Sequence, residues 1–293
     1  MRSRPWASAL FVLGLSTAAY AQGETQTGIT LFQEGTRVNA AYAHRERSHF
    51  FDGDDRTGNP NDVRIRSDVV LVNLTYGLIT DLTLGLTAPY VSKERDSAAG
   101  DLEDNGVGDV SVSAKYRFLR EDRILNSKQM AFILGLQTPT GETADLPERP
   151  VWLGSGAWSP FAAVAYSERW QLWDLDAGVF YRWNTEGAKD VDASDELVLG
   201  VAGAYFPIQM AFPGPEFKVG LDLSWVHLFR ERIGGKTVSN SGGDLVWVSP
   251  FVGYAPRPEL VFEGYFGIPA YQRYDGTQLG EDWRVLIGFR WSF

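Results

Sequence analysis

The 293-residue sequence contains no cysteine, which excludes a disulfide framework, a thiolate zinc site and a cysteine nucleophile. Histidine is almost as scarce, at three residues, His44, His49 and His227. Beyond residue 22 no apolar stretch approaches the ~20 residues that a membrane-spanning helix needs, so a helical membrane bundle is excluded too. Positive charge is in deficit, 27 Lys+Arg against 37 Asp+Glu for a formal charge of −10. A phosphate-binding surface is usually basic, so no nucleic-acid partner is expected. What the chain has in quantity is aromatic side chains, 10 Trp, 12 Tyr and 17 Phe, or 13% of all residues. That content is high for an acidic chain and needs a location.

The first segment reads as an address. Arg2 and Arg4 precede an apolar run from Ala7 to Leu15, and Ala19-Tyr20-Ala21 supplies small residues at the cleavage-defining positions. A positive start, a short apolar centre and a small-residue end describe a secretory signal peptide. Residues 1–21 are therefore expected to be removed, leaving 22–293 as a single domain outside the cytoplasm.

Along that domain the recurring pattern is alternation. Trp173, Leu175, Ala177, Val179, Tyr181 and Trp183 are separated by Asp174, Asp176, Gly178, Phe180, Arg182 and Asn184. Apolar groups on one face and charge on the other mark a strand that separates two environments. The split recurs with Val110 to Phe118 against Asp109, Lys115 and Arg117, and with Phe217 to Trp225 against Lys218 and Asp222. It appears again from Trp283 to Phe293 against Arg284 and Arg290. From Val69 to Tyr76 both faces carry apolar residues, and periodicity assigns neither.

Three features favour a membrane barrel over a soluble β-sandwich. Trp173 and Trp183 end one apolar face ten residues apart, which at ~3.3 Å per residue and ~40° of tilt spans about 25 Å, the height of an outer-membrane apolar band. The connections alternate, with long polar loops expected near 45–62, 93–106, 140–156, 184–195, 231–243 and 270–281. Between them stand tight turns at 77–81, 167–171 and 255–258 and two longer links, 120–128 and 207–215. Short periplasmic turns and long external loops are the usual asymmetry of such barrels. Last, the final strand presents Phe289, Trp291 and a terminal Phe293, which resembles the signal read by the bacterial barrel-assembly machinery. About twelve strands are predicted, near 36–44, 64–76, 82–92, 107–119, 129–139, 157–167, 171–183, 196–206, 216–229, 244–255, 259–269 and 282–293. The expected fold is an all-β, antiparallel, up-and-down transmembrane barrel of about twelve strands in the bacterial outer membrane. An even strand number places both termini in the periplasm.

Several phrases resemble a known family. Gly106-Val107-Gly108-Asp109-Val110 opens one strand, and Tyr76-Gly77-Leu78-Ile79-Thr80-Asp81 forms an earlier turn. Leu136-Gln137-Thr138-Pro139-Thr140-Gly141 and Gly154-Ser155-Gly156 follow in order. The order resembles the MetA-pathway phenol-degradation family of outer-membrane proteins. The resemblance implies a barrel connected with aromatic catabolism, in a family often described as transporters, and carries no catalytic residues. Physically, Gly77 and Asp81 suit a tight turn. Gly106 and Gly108 suit a close or bulged strand entry. Asp109 either bonds the backbone there or faces the lumen.

Catalysis is not expected. Barrel phospholipases and deacylases use a His and a Ser two apart on one face, whereas Glu46, Phe51 and Phe229 stand two residues after the three histidines. Ser48 would point away from His49 if that segment is extended. His44 with Glu46, or His49 with Asp52 and Asp54, would be the protease-like sets. The Asp52–Asn59 loop departs from the calcium-loop order, so no metal or cofactor is assigned.

Function should lie on the inward face. Asp174, Asp176, Arg182, Lys218, Asp222, Glu263, Arg284 and Arg290 are the expected pore-lining residues, able to pair as a plug or to line a wet passage. Twelve strands give a backbone diameter on the order of 24 Å, and inward aromatics such as Phe180 either line a solute path or simply pack. No N-terminal plug domain or energy-coupling box is evident before the strands. The leading expectation is a passive channel for small aromatic or hydrophobic solutes, surrounded by outer-membrane lipid and lipopolysaccharide. The alternatives are a closed barrel that works through its acidic loops and, third, an outer-membrane hydrolase.

Overall fold

A computed structural model describes residues 25–98, 100–143, 153–210 and 213–293. The expected signal peptide, residues 1–21, lies outside the described residues. Twelve long strands form the wall: β1 Thr36–Arg47, β2 Arg64–Ile79, β3 Leu82–Asp96, β4 Ser111–Arg123, β5 Asn126–Gln137 and β6 Ser159–Trp170. They continue as β7 Trp173–Arg182, β8 Glu196–Gln209, β9 Glu216–Leu228, β10 Gly243–Arg257, β11 Leu260–Leu279 and β12 Trp283–Ser292. Each pairs antiparallel with its chain neighbours, and β12 returns to β1 in a register running from Arg37 opposite Ser292 to Glu46 opposite Trp283. Thr36 and Phe293 exchange two backbone hydrogen bonds of 2.8 Å, so the first and last strands end together at the rim that carries the short turns. Closure leaves the twelve-strand wall without a free edge, which a wall in hydrocarbon requires.

The side-chain split follows the sequence alternation. On β7, Trp173, Leu175, Val179 and Tyr181 are exposed outward, while Phe180 and Arg182 are buried inside. The ambiguous segment on β2 resolves cleanly: Val69, Leu71 and Asn73 are buried, and Val70, Val72, Leu74 and Tyr76 face outward. Around the barrel the outward face carries Val72, Leu86, Val179, Leu199, Leu221 and Val252 at mid-height. Tyr76, Tyr116, Trp173 and Trp291 ring its short-turn end, and Tyr90, Trp158, Trp183 and Tyr271 ring its long-loop end. An exposed apolar band between two aromatic girdles is stable only in a bilayer. The fold is a transmembrane β-barrel of the bacterial outer-membrane class.

Several expectations change in detail. The link 120–128 is a direct continuation of β4 into β5, paired to Arg123 opposite Asn126 and closed by a two-residue turn at Ile124-Leu125. Its charges lie beyond the apolar band, where neither face needs to be apolar, so alternation is lost without loss of pairing. The strand predicted near 107–119 starts at Ser111, because Leu102–Val107 pairs back onto β3 and the chain kinks at Gly108 to Val110. The loop near 270–281 is largely strand, with Thr277–Leu279 pairing with Phe50–Asp52 of the first loop.

Candidate channel lumen

The lumen holds a segment that alternation did not announce. Thr25 to Gly35 forms an extended strap across the inside of the wall before β1 begins. Its N–H groups are met by wall groups, as buried backbone requires: Gly28 N–H donates to Ser167 Oγ at 2.9 Å and Leu31 N–H to Thr83 Oγ1 at 2.9 Å. Lys115 Nζ donates to the Thr27 carbonyl at 2.9 Å. Thr25 and Gln26 lie against Gly200 and Gly178 of β8 and β7, so the strap crosses about half the barrel. Near its other end Glu34 N–H donates to the Gly77 carbonyl at 2.7 Å, and Gly77 N–H to the Gly35 carbonyl at 2.9 Å. Gly77 is thus a docking position inside β2 and not the tight-turn residue the sequence suggested, since any side chain there would run into the Phe32 carbonyl. No plug domain is seen among the described residues, yet the lumen is partitioned.

All eight expected pore-lining residues point inward, and each has a partner. Near the short-turn mouth Asp174 takes Arg169 Nε at 2.8 Å, and Asp176 accepts the Ser167 hydroxyl. Glu263 is shared by Lys218 Nζ at 2.9 Å and an Arg290 guanidinium nitrogen at 3.2 Å. Towards the long-loop mouth Arg182, 3% exposed, forms a 2.6 Å ion pair with Glu196 and a 3.4 Å contact with Gln137 Oε1. Arg284 reaches Ser249 Oγ at 3.2 Å and lies 3.8 Å from the Trp247 ring centroid. Asp222 is fully inside, between the mid-lumen strands.

Cations exceed carboxylates on this face although the whole chain is acidic. The inward strand positions carry Arg37, Arg45, Arg47, Lys93, Lys115, Arg117, Arg169, Arg182, Lys218, Arg284 and Arg290 against Asp174, Asp176, Glu196, Glu216, Asp222 and Glu263. Asp109 and Glu281 add two carboxylates from the loops, the latter held by Arg45 and Arg47. The acidic excess therefore lies on the loops and outer surface.

Between the charged layers runs an apolar one. Ile133, Phe161, Phe180, Val198, Val226, Leu245, Trp247 and Tyr274 form one buried cluster, so Phe180 does pack, edge-tilted at 5.6 Å from Phe161. Gly135 makes room for the Phe161 ring, which fills the space a side chain there would need. A second cluster joins Ala43, Val69, Leu71, Val91, Leu153 and Leu286. Two chambers flank the strap. One, of about 360 Å³, lies at the short-turn mouth among Arg169, Asp174, Asp176, Phe206, Glu216, Lys218 and Arg290. The other, of about 80 Å³, lies on the opposite side, and Ile29 lines both.

Of the two roles the sequence left open for Asp109, bonding backbone and facing the lumen, the structure shows the first, with partners the sequence did not name. Its carboxylate, 4% exposed, accepts four hydrogen bonds: Gly141 N–H at 2.8 Å, Ser155 N–H at 2.7 Å, Ser155 Oγ at 2.7 Å and Gln137 Nε2 at 3.0 Å. The three phrases around Asp109, Gly141 and Ser155 meet at one carboxylate. The only sequence signal was their recurrence as loop-forming glycine phrases at separate places. Asp81, the other acid singled out, forms a 2.7 Å ion pair with the buried Arg117 at the short-turn rim.

Each histidine pairs with an aspartate, none with the acids proposed from sequence. His44 Nδ1 lies 2.8 Å from Asp68 and His227 Nδ1 2.8 Å from Asp244, both on the outward face near the long-loop rim. His49 Nδ1 lies 2.5 Å from Asp282. Ser48 is not turned away, because the chain leaves strand geometry there, and its hydroxyl donates to Asp282 at 2.6 Å and sits 3.2 Å from the same His49 nitrogen. A nucleophile–base–acid relay needs serine and acid on opposite imidazole nitrogens, and this cluster uses one.

The family described as "Putative MetA-pathway of phenol degradation" matches residues 50–226, and the chain belongs to that family. In structure it is similar to the COG4313 outer membrane channel from Pseudomonas putida F1, with 17% identity and a TM-score of 0.70 over 90% of this chain and 97% of that one. It is also similar to the beta domain of the Bordetella autotransporter Brka, with 14% identity and a TM-score of 0.51 over 89% of this chain and 100% of that one. Both are likenesses of fold. No curated protein matches the sequence.

Proposed function

We propose that the protein is a passive outer-membrane channel for small aromatic or hydrophobic solutes, with the short-turn rim and both termini in the periplasm. The observation that carries this reading is the layered inward face. A chamber of about 360 Å³ opens towards the short-turn mouth and shares Ile29 with a smaller one lined by Phe161 and Phe180, where a solid barrel core would leave no such space. Inward charge tunes what passes a barrel of this kind, and Asp174, Asp176, Arg182, Lys218, Asp222, Glu263, Arg284 and Arg290 are proposed as its lining. Family membership supports an aromatic class of solute, and the P. putida channel of similar fold supports conduction. Residues 1–21 are proposed as the cleaved export signal, and outward-facing Phe289, Trp291 and Phe293 as the segment read by the barrel-assembly machinery.

The hydrolase alternative loses support from the histidine geometry. A closed barrel acting through its loops draws support from the paired inward charges, and conduction decides between it and the channel. Refolded protein in a planar bilayer is expected to give stable single-channel steps that a simple phenol interrupts reversibly. A folded barrel that never conducts overturns the proposal in favour of the closed barrel.

A further inference from the structure

The smaller chamber has a chemical character the larger one lacks. It is lined by the Arg37 and Lys115 side chains, by hydroxyls including those of Thr87 and Ser111, and by the Phe161 and Phe180 rings, with no carboxylate in its wall. Lys115 Nζ spends its contacts on strap oxygens, Thr27 O at 2.9 Å and Ile29 O at 3.5 Å. Arg37 Nε donates to Ser292 Oγ at 2.9 Å. Neither cation has a carboxylate partner within ion-pair distance among the described residues. The nearby acids are engaged elsewhere, Glu263 by Lys218 and Arg290, and Asp176 by Ser167. Two half-buried cations that lack a counter-ion carry a desolvation cost that a bound anion would offset.

Register shows how close the two chemistries come. Lys115 pairs with Ile133, Ile133 with Ala163 and Ala163 with Phe180, so the ammonium and the Phe180 ring project from one row of the wall, with Phe161 on the next inward row, opposite Gly135. A planar ring fits against Phe161 and Phe180 by offset or edge contact. A carboxylate on that ring would face Arg37, Lys115 and the hydroxyls, where charge-assisted hydrogen bonds are strongest. The chamber, at about 80 Å³, is smaller than the ~150 Å³ apolar cavity known to take up benzene. Ile29 lines both this chamber and the 360 Å³ one, so a ring would fit here only with Ile29 displaced towards the larger space.

We propose that this chamber is a binding site for single-ring aromatic carboxylates, which names the solute class of the channel reading on which it rests. The site is selective for the anion over a neutral ring of the same size, because only the anion neutralises Arg37 and Lys115. It lies beside the strap, so that a bound ring contacts Ile29 or Leu31 as well as the wall.

The test titrates benzoate and benzyl alcohol into the refolded full-length barrel at pH 7 by calorimetry, with single-channel conductance recorded on the same preparations. Lys115→Gln keeps a hydrogen-bonding group for the Thr27 carbonyl, and Arg37→Gln does not touch the strap. The expected result is benzoate binding weakened at least tenfold by either substitution, with benzyl alcohol binding more weakly and equally in all three proteins. Equal binding of benzoate and benzyl alcohol to the unsubstituted barrel, or unchanged benzoate binding in a folded Arg37→Gln barrel, overturns the site. Conduction without selective benzoate binding leaves the channel and removes the site. Selective benzoate binding in a barrel that never conducts supports the site and removes the channel.

Discussion

Asp109 and Ser155 stand 46 residues apart in sequence, yet one carboxylate oxygen of Asp109 accepts both the backbone N–H and the hydroxyl of Ser155 at 2.7 Å. Gly141 N–H and Gln137 Nε2 complete the set. The contact ties the kinked entry to β4 to both described ends of the third long loop. A single buried acceptor thereby fixes the long-loop rim beside the lumen.

Removing that acceptor strands several buried donors at once. Asp109→Ala is expected to destabilise the barrel by about 3–5 kcal/mol, since each hydrogen bond to a charged group contributes about 1.5–3 kcal/mol and the donors are left unpaired. The loss should show first as rapid proteolysis within residues 140–157 of the folded barrel. Proteolysis at the unsubstituted rate would contradict the structural role assigned to Asp109.

Arg182 and Glu196 form a second buried tie, with Arg182 3% exposed and a 2.6 Å separation. Glu196→Gln removes the carboxylate that Arg182 pairs with at 2.6 Å, and an effect of about 3–5 kcal/mol on unfolding in urea is expected. The double variant Arg182→Met, Glu196→Leu removes both charges and should recover most of that loss. A double variant no more stable than the single one would show that the pair is not coupled.

The strap offers a chemical test because the chain has no native thiol. A Cβ built on Gly178 lies 3.4 Å from that of Gln26, close to the spacing a disulfide requires. The variant Gln26→Cys, Gly178→Cys is therefore expected to oxidise spontaneously within the folded barrel. Adding Gly77→Val, whose side chain collides with the Phe32 carbonyl, should reduce cross-linking several-fold. Absence of the cross-link in the parent variant would place the strap elsewhere.

Sequence and structure agree where one physical rule acts alone. A wall with lipid on one side and a packed, partly wet interior on the other forces a period of two, so all twelve strands and the inward direction of Lys218, Glu263 and Arg290 were legible. The rule fails on β2, where Val69 and Leu71 join an apolar cluster inside the lumen while Val70 and Val72 meet lipid. It fails beyond the band, where Arg120 to Arg123 stay paired with both faces in water. It is silent on the strap, because Thr25 to Gly35 docks through backbone groups and glycine contacts that leave no periodic mark. Asp109 was visible as a motif, but its partners come from distant loops that only the fold assembles.

Glu231 supplies a pH-dependent signal outside the membrane band. It is 6% exposed in the loop after β9, and burial raises its carboxyl from 4.5 to about 7. The folded loop therefore binds the proton more tightly than the unfolded one, so its stability is greatest below pH 4.5 and declines as pH rises towards 7. The full change is at most about 3 kcal/mol. Hydrogen exchange at Val238, whose N–H donates to the Glu231 carbonyl at 2.9 Å, should lose protection across that range after correction for intrinsic rates. Glu231→Gln should abolish the dependence, and an unchanged pH profile in that variant would assign it to another group.

A channel of this kind conducts through an inward face on which cations exceed carboxylates. The most direct measurement is the reversal potential of single channels across a salt gradient, for the unsubstituted barrel and for Lys218→Gln and Arg290→Gln. Stable steps with a preference for anions are expected, with the preference reduced in both variants. Absence of conduction in a folded barrel, or a reversal potential that neither substitution moves, would contradict that expectation.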